Sequence, residues 1–259
     1  MKLLRFRHNG KASYGVVHEG SRIEICDIGF RPTGESLEIG AKEILPLVSP
    51  SKIVCVGRNY ADHAKELGNE IPDEPLLFLK APSAVTGPGS SIIIPKRSER
   101  VEHEAELAIV MRRRCTGLLD GDDPFDFVLG YTCLNDVTAR DLQKKDIQFT
   151  RAKSFDSFCP IGPHIETELD VSDIAVACRV NGSVRQQGRT SQMIFPVDFL
   201  IRYISRQMTL EAGDVIATGT PSGVSKMEPG DNCEVEIEGI GTLSNPVMSA
   251  AELSTPARG

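Results

Sequence analysis

The chain has 259 residues, 40% of them hydrophobic and 25% charged, proportions of a globular protein that exclude a collagen, a coiled coil or a disordered tail. Its formal charge is −7, so its field repels phosphate backbones and no nucleic-acid partner is expected. The seven cysteines have no CxxC or zinc-ligand spacing and read as buried thiols of a reducing cytoplasm. Lys2, Arg5 and Arg7 interrupt the apolar residues of the N-terminus, and no later run reaches membrane-spanning length, so the expectation is a cytoplasmic protein with no membrane partner.

Residues 1–50 read as a small β module, with segments Leu3 to Arg7, Tyr14 to His18 and Arg22 to Cys26 around turns at Asn9-Gly10 and Glu19-Gly20. Ser49-Pro50-Ser51 then punctuates the chain, and residues 51–259 read as the main domain. Short apolar strands recur there: Ile53 to Val56, Leu76 to Leu79, Ile92 to Ile94, Leu107 to Met111, Val128 to Leu134, Ile174 to Val180, Val215 to Thr218 and Cys233 to Ile237. Helices are expected at Tyr60 to Leu67, Ala139 to Lys145 and Pro196 to Gln207. Asn181-Gly182 is the strongest hairpin signal. The fold class is therefore mostly β with a few helices.

GxGxxG, GxxxxGK[ST], HExxH and GxSxG signatures are all missing, which leaves carboxylates as the informative residues. In Val101 to Met111, Glu104 and Glu106 are two apart and share a face if the segment is one strand. The apolar run after Glu106 would set both at the mouth of the core, where a divalent cation would relieve their repulsion. Asp136, ending the strand Val128 to Leu134, supplies a third hard ligand. Three carboxylates suit Mg²⁺, Mn²⁺ or Ca²⁺ rather than zinc. A solvated edge strand carrying Glu102, Glu104 and Glu106 fits the same spacing, and His103 on the opposite face reads as a packed or surface histidine.

His63 and Glu66 share a helix face and are candidates for a base and its orienting acid, although the spacing taken alone favours an exposed pair beside Asp62 and Lys65. Lys153 lies between Arg151 and Phe155 in a segment of little helical character. Gly219 to Gly223 follows a strand and either aims backbone N–H groups and the Thr220 hydroxyl at an anion or forms a tight turn. Gln186, Gln187 and Arg189, after the hairpin, are candidates for reading a second substrate carboxylate.

Six blocks in this order resemble the fumarylacetoacetate hydrolase family: Gly57-Arg58-Asn59-Tyr60-Ala61-Asp62-His63, Pro75-Leu76-Leu77-Phe78-Leu79-Lys80, His103-Glu104-Ala105-Glu106-Leu107, Asp136 to Gln143, Ala152 to Asp156 and Gly213 to Pro221. The resemblance implies a mixed β-roll of that family's C-terminal type around a metal cleft, in residues 51–259, preceded by the small module and usually assembled as a homodimer. It places metal ligands on Glu104, Glu106 and Asp136, substrate contacts on Arg140, Gln143, Lys153 and Thr220, and catalytic roles on His63, Glu66 and Lys153. It alone separates Glu104 from Glu102, and it puts His63 and Glu66 on a segment from about Asp62 to Asp73 that closes over substrate.

Ile53 to Gly57 carries no carboxylate, whereas enzymes that cleave fumarylacetoacetate itself have an additional metal-binding aspartate there. The chain is therefore similar to the shorter branch of acylpyruvate hydrolases, oxaloacetate decarboxylases and 2-hydroxyhepta-2,4-diene-1,7-dioate isomerase/decarboxylases. The implied function is Mg²⁺- or Mn²⁺-dependent chemistry on a small-molecule 2-oxo acid through a metal-stabilised enolate, with hydrolysis of an acylpyruvate C–C bond foremost. Oxaloacetate decarboxylation and dienedioate isomerisation are the alternatives, and a non-catalytic 2-oxo acid binding protein is a different class.

Overall fold

In chain order the N-terminal strands are β1 (Lys2–His8), β2 (Lys11–Val17), β3 (Arg22–Cys26) and β4 (Pro32–Glu38). There follow β5 (Ile53–Gly57), α1 (Ala61–Glu66), β6 (Leu76–Lys80), β7 (Val85–Thr86), β8 (Ile92–Ile94), β9 (Val101–Glu102), β10 (Ala105–Met111), β11 (Val128–Asn135) and β12 (Thr138–Ala139). The remainder comprises α2 (Arg140–Lys145), α3 (Thr150–Lys153), β13 (Cys159–Glu166), β14 (Ala175–Val180), β15 (Ser183–Arg189), α4 (Val197–Gln207), β16 (Val215–Ala217), β17 (Asn232–Ile237), β18 (Gly241–Ser249) and α5 (Ala250–Leu253). The computed structural model describes residues 1–18, 22–27, 29–38, 40 and 44–253; the turn expected at Glu19-Gly20 lies outside them.

An 11-stranded sheet has the order β4-β3-β2-β1-β13-β11-β10-β16-β5-β6, with β7 alongside β13. A second sheet, of five strands, runs β15-β14-β17-β18-β8, and β9 pairs with β12. Both large sheets are mixed: β16 runs parallel to β5 and β18 parallel to β8, whereas β10 is antiparallel to both β11 and β16. The N-terminal meander joins the large sheet where Leu3 of β1 pairs with Ile165 of β13.

Strand β10 reads AELAIVM and is buried at every position, as a central strand covered on both faces must be. Each large apolar side chain there contributes about 1.5–3 kcal/mol by leaving water. In the second sheet β17 alternates instead, burying Cys233, Val235 and Ile237. Asn181 and Gly182 adopt φ of 52° and 76°, the left-handed pair of a tight two-residue hairpin turn between β14 and β15. Helix α4 follows Pro196 and buries Val197, Leu200, Ile201 and Ile204, one stripe of helical period.

Three local expectations need correction. Glu102 to Glu106 is not one strand: the ladder breaks at His103-Glu104 because side chains take over its hydrogen bonds. Asn135 Oδ1 accepts the Glu104 N–H at 3.0 Å, and Gln186 Oε1 accepts the Ala105 N–H at 3.0 Å. Lys153 ends a short helix, α3, rather than lying in irregular chain. Strand β13 was not foreseen because Pro160, Gly162 and Pro163 interrupt its pattern.

Candidate active site

Because β16 is parallel to β5, and β10 antiparallel to both β16 and β11, the carboxyl ends of β5, β11 and β16 and the amino end of β10 share one edge of the sheet. Just beyond those ends sit the helix bearing His63, then Asp136, Thr220 and Glu104. The result is a cleft of 450 Å³, a volume suited to a small ligand. All nine residues to which the family resemblance gives a role line it: His63, Glu66, Glu104, Glu106, Asp136, Arg140, Gln143, Lys153 and Thr220.

Carboxylate oxygens of Glu104, Glu106 and Asp136 lie within 4.8 Å of one another, and all three residues are buried, which removes the solvated edge-strand reading. Buried cations answer part of this charge. Lys153 Nζ bridges Glu104 Oε2 at 2.8 Å and Asp136 Oδ2 at 2.6 Å. Lys80 Nζ meets Asp136 Oδ1 at 2.6 Å and also donates to the Val137 carbonyl. Arg140 donates through Nε to Glu102 Oε2 at 2.7 Å, through Nη2 to Glu104 Oε1, and through Nη1 to Gln143 Oε1 at 2.5 Å.

Glu106 has no Lys or Arg partner among the described residues; its Oε2 accepts the Gly219 N–H at 2.7 Å. The electrostatics divide accordingly. Burial alone would raise the Glu104 carboxyl, but Lys153, Arg140 and His63 hold it well below the usual carboxylate range. Burial, then the charges of Asp136 and Glu104, push Glu106 well above that range. Burial works against the Lys153 ammonium, yet Asp136 and Glu104 keep its pKa above the ordinary lysine value. An all-oxygen donor set holding one carboxylate without a cation partner fits a hard divalent ion.

His63 is 5% exposed and its Nδ1 lies 3.3 Å from Glu66 Oε2. Both Glu66 oxygens also accept the Gly223 N–H, at 3.0 and 3.1 Å, tying the end of α1 to the loop after β16. The start of the helical segment is fixed by Asn59, whose Nδ2 donates to the Thr218 and Phe195 carbonyls at 2.7 and 3.0 Å and whose Oδ1 accepts the Phe195 N–H at 2.8 Å. The Thr220 hydroxyl is committed to the scaffold, donating to the Ala105 carbonyl at 2.8 Å and accepting from Gln186 Nε2 at 2.7 Å.

Gln186 therefore does not read substrate. It is fully buried and brackets the loop after β16 to the start of β10, with its Oε1 2.8 Å from Nδ1 of the packed His103. Gln187 is exposed, and Arg189 pairs with Asp173 at the surface, 2.6 Å away. Neither lines the cleft. Sequence reasoning gave Arg58 no role, weighed Glu102 only as an edge-strand acid and an alternative to Glu104, and gave none to Lys80. The last two are buried charges, a residue class that almost always carries a partner.

The chain belongs to the fumarylacetoacetate hydrolase family: residues 52–248 match the fumarylacetoacetate hydrolase C-terminal family, and residues 1–46 match the Rv2993c-like N-terminal family. It is 53% identical to an uncharacterized protein of Pyrococcus horikoshii over 78% of this chain and 90% of that one. It is 45% identical to the oxaloacetate tautomerase YisK of Bacillus subtilis, over 78% of this chain and 71% of that one. The crystal structure of a 5-carboxymethyl-2-hydroxymuconate delta-isomerase from Mycobacterium smegmatis superposes with a TM-score of 0.84 at 42% identity, covering 96% of this chain and 99% of that one. Among the described residues no helix is long and apolar enough to cross a membrane.

Proposed function

We propose that this protein is a divalent-metal-dependent enzyme that moves a proton at C3 of a 2-oxo acid, interconverting keto and enol forms. One observation carries the reading: three buried carboxylates, with Lys153 and Arg140 among them, share a cleft with the His63–Glu66 pair. Relatives named as a tautomerase and as an isomerase favour relocation of a proton over hydrolysis of a bond.

Glu104, Glu106 and Asp136 would hold Mg²⁺ or Mn²⁺, with Ca²⁺ the remaining hard candidate, and the ion supplies Lewis-acid polarisation of the 2-oxo group when bound. His63 is the proton carrier. Its Nδ1 faces Glu66, which fixes the ring and stabilises the imidazolium, and its Nε2 exchanges the proton with C3. Lys153 and Arg140 place positive charge beside the oxygen on which enolate charge develops, and Gln143 holds one arm of the Arg140 guanidinium. Thr220, its hydroxyl held by the Ala105 carbonyl and Gln186, lines the cleft as a fixed contact for substrate. A proton leaves the enol hydroxyl, another arrives at C3, and the substrate's composition is unchanged.

A second reading, hydrolysis of the C–C bond of an acylpyruvate or related 3-acyl-2-oxo acid, is supported by the same pair, since a histidine backed by a carboxylate also deprotonates water. Decarboxylation of oxaloacetate requires the same enolate and no water. The homodimer implied by the sequence resemblance is part of this proposal and is read directly by light scattering.

The test follows ultraviolet loss of enol-oxaloacetate, carbon dioxide release from oxaloacetate and cleavage of acetylpyruvate, each with Mg²⁺ or Mn²⁺ and then with chelator. The expected result is metal-dependent ketonisation that falls by about 10²- to 10⁴-fold in His63→Ala while Mn²⁺ affinity stays within a few fold. Acetylpyruvate cleavage without ketonisation would put hydrolysis in its place, and inactivity in all three assays with Mn²⁺ bound would remove the enzyme reading.

A further inference from the structure

The buried cations at the cleft are committed to carboxylates: Lys153 to Glu104 and Asp136, Arg140 to Glu102 and Glu104, Lys80 to Asp136. Arg58 is different. It lines the cleft, is half-buried, and makes no hydrogen bond or ion pair to any described residue. It follows β5 directly, on the connection that leads to the His63 helix.

Its backbone is also unusual. Arg58 holds φ of 58°, a left-handed conformation that costs free energy in any residue with a Cβ. Such a conformation persists only where the surroundings over-determine it, and here the neighbouring Asn59 is pinned by three side-chain hydrogen bonds, one to Thr218 just after β16 and two to Phe195. A strained backbone thus presents an uncommitted guanidinium at a cleft whose other buried cations are spent on internal acids.

We propose that Arg58 is the specificity residue of this cleft, binding the second carboxylate of a 2-oxo dicarboxylate whose pyruvoyl end lies at the acid cluster and Lys153. The inference rests on the 2-oxo acid reading above and adds the chemistry of the far end. A guanidinium matches a carboxylate through two parallel N–H donors, a geometry that an ammonium cannot reproduce. Lys144, the other cation of the cleft lining without an ion pair among the described residues, is exposed on α2, where solvent and salt screen it.

The test compares two probes on the Mn²⁺-loaded protein by titration calorimetry: pyruvate, which offers the pyruvoyl end alone, and 2-oxoglutarate, which adds a distal carboxylate. Arg58→Gly and Arg58→Asn are the variants, since both residues accept the left-handed backbone and neither endangers the fold. The wild type is expected to bind 2-oxoglutarate at least tenfold more tightly than pyruvate. Both variants should weaken 2-oxoglutarate by about 10- to 100-fold, the range of a lost charge-assisted hydrogen bond, and leave pyruvate and Mn²⁺ affinity within twofold. Lys144→Met should change either probe by less than threefold.

A preference for 2-oxoglutarate that survives in both variants, or pyruvate affinity that falls in parallel, overturns the assignment of Arg58. A wild type that binds both probes equally overturns it too, with the 2-oxo acid reading intact. A wild type that binds Mn²⁺ but neither probe defeats that reading and this inference together.

Discussion

Lys80 and Asp136 form an ion pair sealed from solvent: Nζ and Oδ1 are 2.6 Å apart and neither side chain is exposed. Asp136 also meets Lys153, so two ammonium groups hold one carboxylate in place from different elements, β6 and α3. Removing one member of a buried pair strands the other charge, at a typical cost of 3–5 kcal/mol, roughly, whereas removing both together costs far less. Lys80→Met should therefore lose about 3 kcal/mol or more of urea-unfolding stability, and Lys80→Met with Asp136→Asn should recover a large part of it. Strictly additive losses in that double-mutant cycle would refute the coupling.

Glu106 predicts the opposite sign. It is the acid of the cluster with no cation partner among the described residues, and burial plus its neighbours Asp136 and Glu104 disfavour its charge. Glu106→Gln removes that repulsion while keeping the shape and an acceptor for the Gly219 N–H. In chelator the variant should be as stable as the wild type or more so. With Mn²⁺ at a hundred times its dissociation constant, the wild type should gain about 2.7 kcal/mol and the variant nothing. Equal metal-induced gains in both proteins would show that the ion binds elsewhere.

The family resemblance supplied the roles of all nine cleft residues and alone pointed to Arg140 and Gln143, whereas six of the nine lie in local motifs that raised them as candidates: three acids near strand ends, a His and a Glu at helical spacing, a Gly-Thr-Pro-Ser-Gly turn. Most strands were readable for the same reason, since their apolar runs end at Gly, Pro or Asn. What escaped depends on contacts distant in sequence. Lys80 finds Asp136 only in the folded sheet, and Glu104 leaves the strand because Asn135 captures its N–H. Gln186 and Arg189 look alike in the sequence, as polar residues on one hairpin strand, but the register buries the first and exposes the second. Arg58 bears no local sign of its role, because being unpaired becomes visible only when the partners of every other cation are known.

Gly223 joins the His63–Glu66 pair to the loop after β16, and its conformation allows no other residue. Its φ is 101°, and a Cβ placed there would stand 2.1 Å from the Arg185 carbonyl oxygen. Gly230 is the control: its φ of 94° is similar, but a Cβ would meet nothing within 4 Å. Gly230→Ala should cost about 1 kcal/mol from backbone strain alone. Gly223→Ala should cost at least about 2 kcal/mol and, by moving the N–H that Glu66 accepts, lower kcat with little change in Mn²⁺ affinity. Matching losses of stability in the two variants, with kcat intact in both, would show that the latch has no part in catalysis.

His164 governs part of the acid limit of the fold. It lies on β13 with its Nε2 buried and without a hydrogen-bond partner among the described residues, and burial, followed by the charge of Lys2, pushes its pKa down to about 4. An unfolded chain returns the imidazole to about 6.5, so the unfolded state binds this proton more tightly than the native state. The contribution is therefore fully present above pH 6.5, roughly, and is lost as pH falls through about 4. His164→Phe keeps a ring of similar shape and removes the titration. Between pH 7 and pH 4, roughly, the wild type should lose about 1–2 kcal/mol more stability than this variant, a figure reduced for the partial exposure of the ring. Acidic groups elsewhere titrate in both proteins and cancel in the comparison. Parallel stability curves over that interval would show that the histidine is protonated in the folded protein without penalty.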